Sequence, residues 1–87
     1  MALIRVMPDQ EKIKAALLDS AKDYSHRFGD VVAFLERSGW KRRIKGSHHI
    51  FTRPGAPFLL NLQPEKNGKA KGYQIRQVRQ VIERLKS

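Results

Sequence analysis

The chain has 87 residues, with 18 Lys and Arg against 8 Asp and Glu, no cysteine and a formal net charge of +10. A chain this short suits a single domain, 1–87, with a small core; the absence of cysteine excludes disulfides, thiolate metal sites and cysteine nucleophiles. No apolar run approaches the ~18 to 20 residues of a spanning helix, and Met1 to Met7 is too short and too weakly apolar for a signal peptide, so no membrane role is expected and a cytoplasmic location fits best.

Asp9 is placed to cap a first helix, in which Ile13, Ala16, Leu17, Ser20, Ala21 and Tyr24 recur at three- and four-residue steps. This is the acidic part of the chain: residues 1–36 carry five Lys and Arg against six Asp and Glu, whereas residues 37–87 carry thirteen against two. A net −1 beside a net +11 is expected where the second part meets a polyanion, because like charge crowded into one compact region repels itself. His26 to Gly29 reads as a connector. Asp30 is then placed to cap a shorter helix through Val31, Val32, Phe34 and Leu35, which Gly39 ends as its C′ residue.

After Gly39 the pattern becomes that of strands. Trp40–Ile44, His48–Thr52 and Phe58–Leu62 are short runs rich in β-branched and aromatic residues, separated by Lys45-Gly46-Ser47 and Arg53-Pro54-Gly55-Ala56-Pro57, which predicts a three-stranded antiparallel meander. Gly46 is expected to supply the positive φ of the first turn and so to aim Ser47 and the histidines after it. Pro64 to Gly72 is a polar, basic loop containing Asn67-Gly68. From Tyr73 onward Ile75, Val78, Val81, Ile82 and Leu85 form one stripe of a terminal amphipathic helix, and the opposite face, with Arg76, Arg79 and Arg84, is expected to be solvated.

The order predicts an α+β two-layer domain. Residues 29–87 form an α-β-β-β-α core with both helices on one face of the sheet, and residues 1–28 form an N-terminal extension carrying an additional helix. That helix could cover a sheet edge, extend the core or make a dimer. The core order is that of double-stranded-RNA-binding domains, in which shape and phosphate contacts matter more than base reading.

Chemistry concentrates in Gly46-Ser47-His48-His49-Ile50-Phe51, set between Lys41-Arg42-Arg43-Ile44-Lys45 and Arg53. Imidazole titrates near neutral pH, so a histidine among fixed cations can move a proton beside a phosphodiester that the cations hold. RNA carries its own nucleophile, the 2′-hydroxyl, so little else is needed to cleave it. His48 and His49 are adjacent on a strand and point to opposite faces. One register turns His48, Ile50 and Thr52 toward the helices; the other turns His49 and Phe51 there, and periodicity is compatible with both. Arg42, Arg43, Lys45 and Arg53 are candidate phosphate holders, and Lys45, Arg43 and Arg53 are expected to keep a neighbouring imidazole neutral. Ser47 can hydrogen-bond a phosphate or cap the turn, and no acidic residue nearby completes a serine-hydrolase triad. The third histidine, His26, is distant, so no metal site is expected. Two ordinary structural histidines would satisfy the same pattern.

Gly39-Trp40, Gly46-Ser47-His48-His49-Ile50-Phe51, Leu60-Asn61-Leu62 and the helix opening Tyr73-Gln74-Ile75-Arg76-Gln77-Val78 together resemble the HicA family of toxins, over roughly residues 30 to 85. The resemblance implies a small basic mRNA interferase with a double-stranded-RNA-binding-like fold, neutralised by a HicB-like antitoxin; the first reading is thus an endoribonuclease toxin acting on RNA independently of the ribosome, without metal or cofactor. The resemblance also implies that the histidine of the Gly-Ser-x-His motif, here His49, is catalytic, with His48 at the variable position. Many relatives carry a histidine at the end of the third strand, where this chain has Gln63. Lys69-Ala70-Lys71 resembles the lysine cluster at the last helix of double-stranded-RNA-binding domains, which makes Lys69 and Lys71 further RNA-binding candidates. The alternatives are a non-catalytic double-stranded-RNA-binding module and a domain whose basic half complements an acidic protein.

Overall fold

The computed structural model describes residues 10–85; Asp9, the expected cap of the first helix, and Lys86 lie outside them. Helix α1, Gln10–Leu18, is shorter than its spacing predicts. The Asp19 carboxylate accepts the Ala21 N–H at 3.0 Å and opens a single 3₁₀ turn over Ser20–Lys22. This local bond offers the backbone an alternative to the next helical turn, so Ser20, Ala21 and Tyr24 leave the stripe, and Tyr24 is 72% exposed. Leu17 is fully buried, and Ile13 packs against the core.

The extension adds to the core, because α1 packs on the two helices that follow. Gln10 Nε2 donates to the Phe34 carbonyl and to Ser38 Oγ, both at 3.0 Å, and so joins the end of α2, where the Phe34 carbonyl also accepts the Ser38 N–H.

Helix α2 spans Phe28–Arg37 and begins earlier than expected: Arg27 is its N-cap, without a side-chain bond, and Asp30 lies in its first turn. A tertiary bond takes over the capping role, as the Phe28 N–H donates to the Gly68 carbonyl at 2.9 Å. The other end is a Schellman closure, with Trp40 N–H on the Leu35 carbonyl at 3.0 Å and Gly39 N–H on that of Glu36 at 3.2 Å. Gly39 has φ +95°, which glycine adopts without strain, and the turn delivers Trp40 into the core.

Strands β1 (Lys41–Lys45), β2 (His48–Thr52) and β3 (Leu60–Leu62) form the expected antiparallel meander. The register pairs Ile44 with His49, Arg42 with Phe51, His49 with Leu62 and Phe51 with Leu60. Paired residues share a face, so Arg42, Ile44, His49, Phe51, Leu60 and Leu62 all lie on the helix side. Phe51 is fully buried among the core residues, a burial that contributes about 2 to 3 kcal/mol. Of the two registers open to the sequence, the fold adopts the one that turns His49 toward the helices.

Helix α3, Gly72–Arg84, packs over β3 while α2 packs over β1. Ile75, Val78 and Val81 are buried along the predicted stripe. The opposite face departs from expectation at Arg79, whose Nε donates to the Leu17 carbonyl at 3.0 Å and whose guanidinium pairs with the buried carboxylate of Asp23. Arg76 adds a second, longer contact to Asp23 at 3.8 Å. These contacts tie the extension to α3, Arg79 turning inward while Arg76 stays exposed. Close approach fixes Gly72 as well, since a Cβ there would run into the Tyr24 ring.

Candidate active site

The site is built at the tip of the first hairpin. The register pairs Lys45 with His48, leaving Gly46-Ser47 as a two-residue loop; Gly46 has φ +62°, as a glycine-led hairpin loop requires. Two residues past Gly46 plus one comes His49, half-buried at the edge of the helix layer. Its ring meets the Phe28 ring edge-on, with centroids 4.8 Å apart. Phe28 thus covers one side of the imidazole and leaves the rest open to solvent.

Arg42, one turn of the pleat away on β1, brings Nη1 to 3.5 Å from His49 Nδ1. The guanidinium can only donate, so this approach favours a neutral ring with Nδ1 unprotonated and the proton on Nε2. Arg42 is itself held by Glu36 of α2, at 3.3 Å from Nε to Oε2. The His49 pKa lies below its ordinary 6.5, first because burial against Phe28 penalises the charged ring and second because of the Arg42 cation. The direction matches the expectation, but the cause differs: apolar cover leads, and Arg42 takes the place assigned to Lys45, Arg43 and Arg53.

Those three cations stand elsewhere. Arg43 and Lys45 alternate with Arg42 and Ile44 along β1 and so project from the open face of the sheet, beside His48, which pairs with Lys45. Arg53 lies four residues beyond His49, about 13 Å along the strand direction, where it shares a hollow with Gln10, Lys14 and Trp40. The hairpin therefore divides the basic run between two surfaces, and only Arg42 accompanies His49. Lys69 and Lys71 are on the loop that flanks Phe28: Lys69 is bridged to Arg27, and Lys71 is the N-cap of α3, with no side-chain cap bond.

Two residues the sequence reading did not credit as contacts complete the site. Gln63, just past β3, donates its side-chain amide to Ser47 Oγ at 2.9 Å, and its backbone N–H donates to Gln74 Oε1 at 3.2 Å. Gln74 is only 3% exposed in the first turn of α3. A polar residue inside an amphipathic stripe is the signal that could have found it, because a buried amide is retained where it has a partner. The chain Gln74, Gln63, Ser47 joins the helix, the third strand and the hairpin loop, and fixes the loop that carries His49.

Among the described residues no group of three or more His, Asp or Glu stands close enough together to hold a metal ion. His26, just before α2, is buried among Asp23, Asp30 and Arg79, with a backbone hydrogen bond to Ala16. The arrangement around His49 offers one neutral imidazole, one guanidinium, one hydroxyl and lysines on a neighbouring loop. It can accept a proton beside an anion.

The family model described as HicA toxin of bacterial toxin-antitoxin matches residues 28–86. No curated protein and no solved structure matches the chain.

Proposed function

The chain belongs to the HicA toxin family, and from this we propose that it is an endoribonuclease toxin, an mRNA interferase that cuts RNA independently of the ribosome with His49 as its acid/base. Membership supports a toxin that acts on RNA; the proton chemistry is drawn from the site. The observation that carries it is the imidazole held between Phe28 and Arg42, kept neutral and half-exposed at the hairpin tip.

In the proposed reaction His49 takes the proton from a ribose 2′-hydroxyl, and the 2′-oxygen attacks the adjacent phosphorus. The bond from phosphorus to the 5′-oxygen breaks, and the leaving oxygen receives a proton from solvent, which reaches the open side of the site. The products are a 2′,3′-cyclic phosphate and a 5′-hydroxyl. Arg42 and Ser47 are the nearest groups to hold the phosphate, and Lys69 and Lys71 extend that hold along the strand. Positioned general-base action is worth ~10² to 10⁴ in rate, enough to separate a nuclease from an RNA binder.

The proposed reaction uses no bound metal ion, and chelation tests this. A HicB-like antitoxin would neutralise the toxin by covering the His49 side of the hairpin, and the cytoplasm is the compartment where both would meet mRNA. Wild type and His49→Ala are to be incubated with a long mRNA, each with and without EDTA, and the ends mapped. Cleavage with cyclic phosphate ends in the wild type alone is expected. Equal cleavage by the variant, or loss of cleavage on chelation, overturns the mechanism; no products from either protein leaves the RNA-binding module as the function.

A further inference from the structure

Arg43 and Lys45 project away from His49, and Lys41 projects with them, since the three alternate along β1. All three are exposed, and among the described residues no ion pair engages any of them. Among the described residues no helix covers their face of the sheet. Its remaining groups are His48, Ile50 and Thr52 of β2 and Asn61 of β3, with His48 Nδ1 3.0 Å from Asn61 Oδ1. None of the three strands contains an acidic residue. The result is a row of three cations on an uncovered surface, held by backbone pairing.

We propose that this open face is a second RNA-binding surface, which holds the backbone of single-stranded RNA as it continues past the cleavage site. The proposal rests on the nuclease reading for the identity of the nucleic acid. Three features select RNA. Alternate residues on a strand are about 7 Å apart, the order of distance between neighbouring phosphates on one strand, so Lys41, Arg43 and Lys45 can each meet one. The row and His49 lie on opposite faces of the sheet joined at the hairpin tip, where Lys45 is the last residue of β1 before the Gly46-Ser47 loop, so a strand leaving the site around the tip arrives first at Lys45. Lastly, the face has one half-buried apolar residue, Ile50, at its centre, whereas a protein interface needs an apolar or aromatic core. Phosphates need only the charges.

The test uses the full chain with Lys41, Arg43 and Lys45 replaced together by Ser, and a control carrying Lys12→Ser, Lys22→Ser and Lys66→Ser, which removes the same charge elsewhere. Both are made in His49→Ala so that the RNA survives. Binding of a single-stranded RNA of about 20 nucleotides is measured by fluorescence anisotropy against salt. Loss of the row is expected to weaken binding at least ~10-fold and to flatten the slope of log affinity on log salt by about 2, three single-strand phosphates' worth. The control is expected to keep most of both. Equal losses in the two triple variants overturn the proposal, leaving net charge as the explanation. Unchanged RNA binding combined with lost binding of polyglutamate overturns it in favour of an acidic protein partner. Product formation by unsubstituted protein reads the His49 assignment separately, so that either can fail alone.

Discussion

Gln63 Nε2 lies 2.9 Å from Ser47 Oγ, so the residue after the third strand is bonded to the loop that presents His49. The bond leaves the Ser47 hydroxyl hydrogen free to donate elsewhere and places a neutral amide where the family resemblance implies a histidine. Gln63→His would return an imidazole to within reach of Ser47 and of the phosphate. The expected result is a several-fold rise in kcat on a fluorogenic oligoribonucleotide, with the pH–rate profile changing from a single rising limb to a bell, as a second proton-transfer group enters. An unchanged profile would mean that position 63 serves only to hold the loop.

The single rising limb is itself an expectation. His49 acts as a base only when neutral, and both its burial and Arg42 hold its pKa below 6.5. Activity of the free enzyme should therefore climb with pH, inflect below 6.5 and stay flat through neutrality. Phe28→Ala uncovers the imidazole, and Arg42→Gln removes the cation. Each should move the inflection upward, Phe28→Ala more, since desolvation is the larger cause. Titration of the His49 ring resonance by NMR measures this directly.

Much of this was legible in the sequence where local rules act alone. Gly39 ended a helix, Gly46 opened a hairpin, and the period of Ile75, Val78 and Val81 gave the core face of α3, because backbone geometry and burial decide those positions. What escaped was set by contacts distant in sequence. Periodicity offered His49 two registers, and pairing with both Ile44 and Leu62 chose one. The basic run read as one cluster, yet strand alternation splits Arg42 from Arg43 and Lys45. Asp30 has good capping chemistry, but the Gly68 carbonyl, forty residues away, fixes where α2 starts. Arg79 sits on the polar face of its helix and was expected in solvent, until the extension folded over it.

That fold-over makes a stability prediction. Asp23 is buried and Arg79 half-buried against it, with Arg79 also serving the Leu17 carbonyl. Removing one partner leaves the other poorly compensated, Asp23 keeping only its 3.8 Å contact with Arg76, so Asp23→Ala and Arg79→Ala should each destabilise the domain by about 3 kcal/mol in urea unfolding. Replacing both at once, Asp23→Leu with Arg79→Met, should cost less than either alone. A double variant as unstable as the sum of the singles would show that the pair is not coupled.

Acid should loosen the same junction through His26. The ring is 8% exposed, its Nε2 has no partner among the described residues, and it faces Asp23, Asp30, Arg79 and the Ala16 carbonyl. Desolvation is the strongest influence and Arg79 adds to it, outweighing the two carboxylates and the backbone bond, so the pKa is lowered from 6.5. A lowered histidine binds fewer protons folded than unfolded; its neutral form thus contributes stability that is complete above the unfolded value of 6.5 and declines as pH falls toward the folded pKa. His49 is shifted in the same direction, which makes His49→Ala the background in which His26 acts alone. There, the urea midpoint should fall between pH 7 and pH 5, and His26→Gln should flatten the decline. A decline of equal steepness with and without His26 would assign acid sensitivity to the carboxylates.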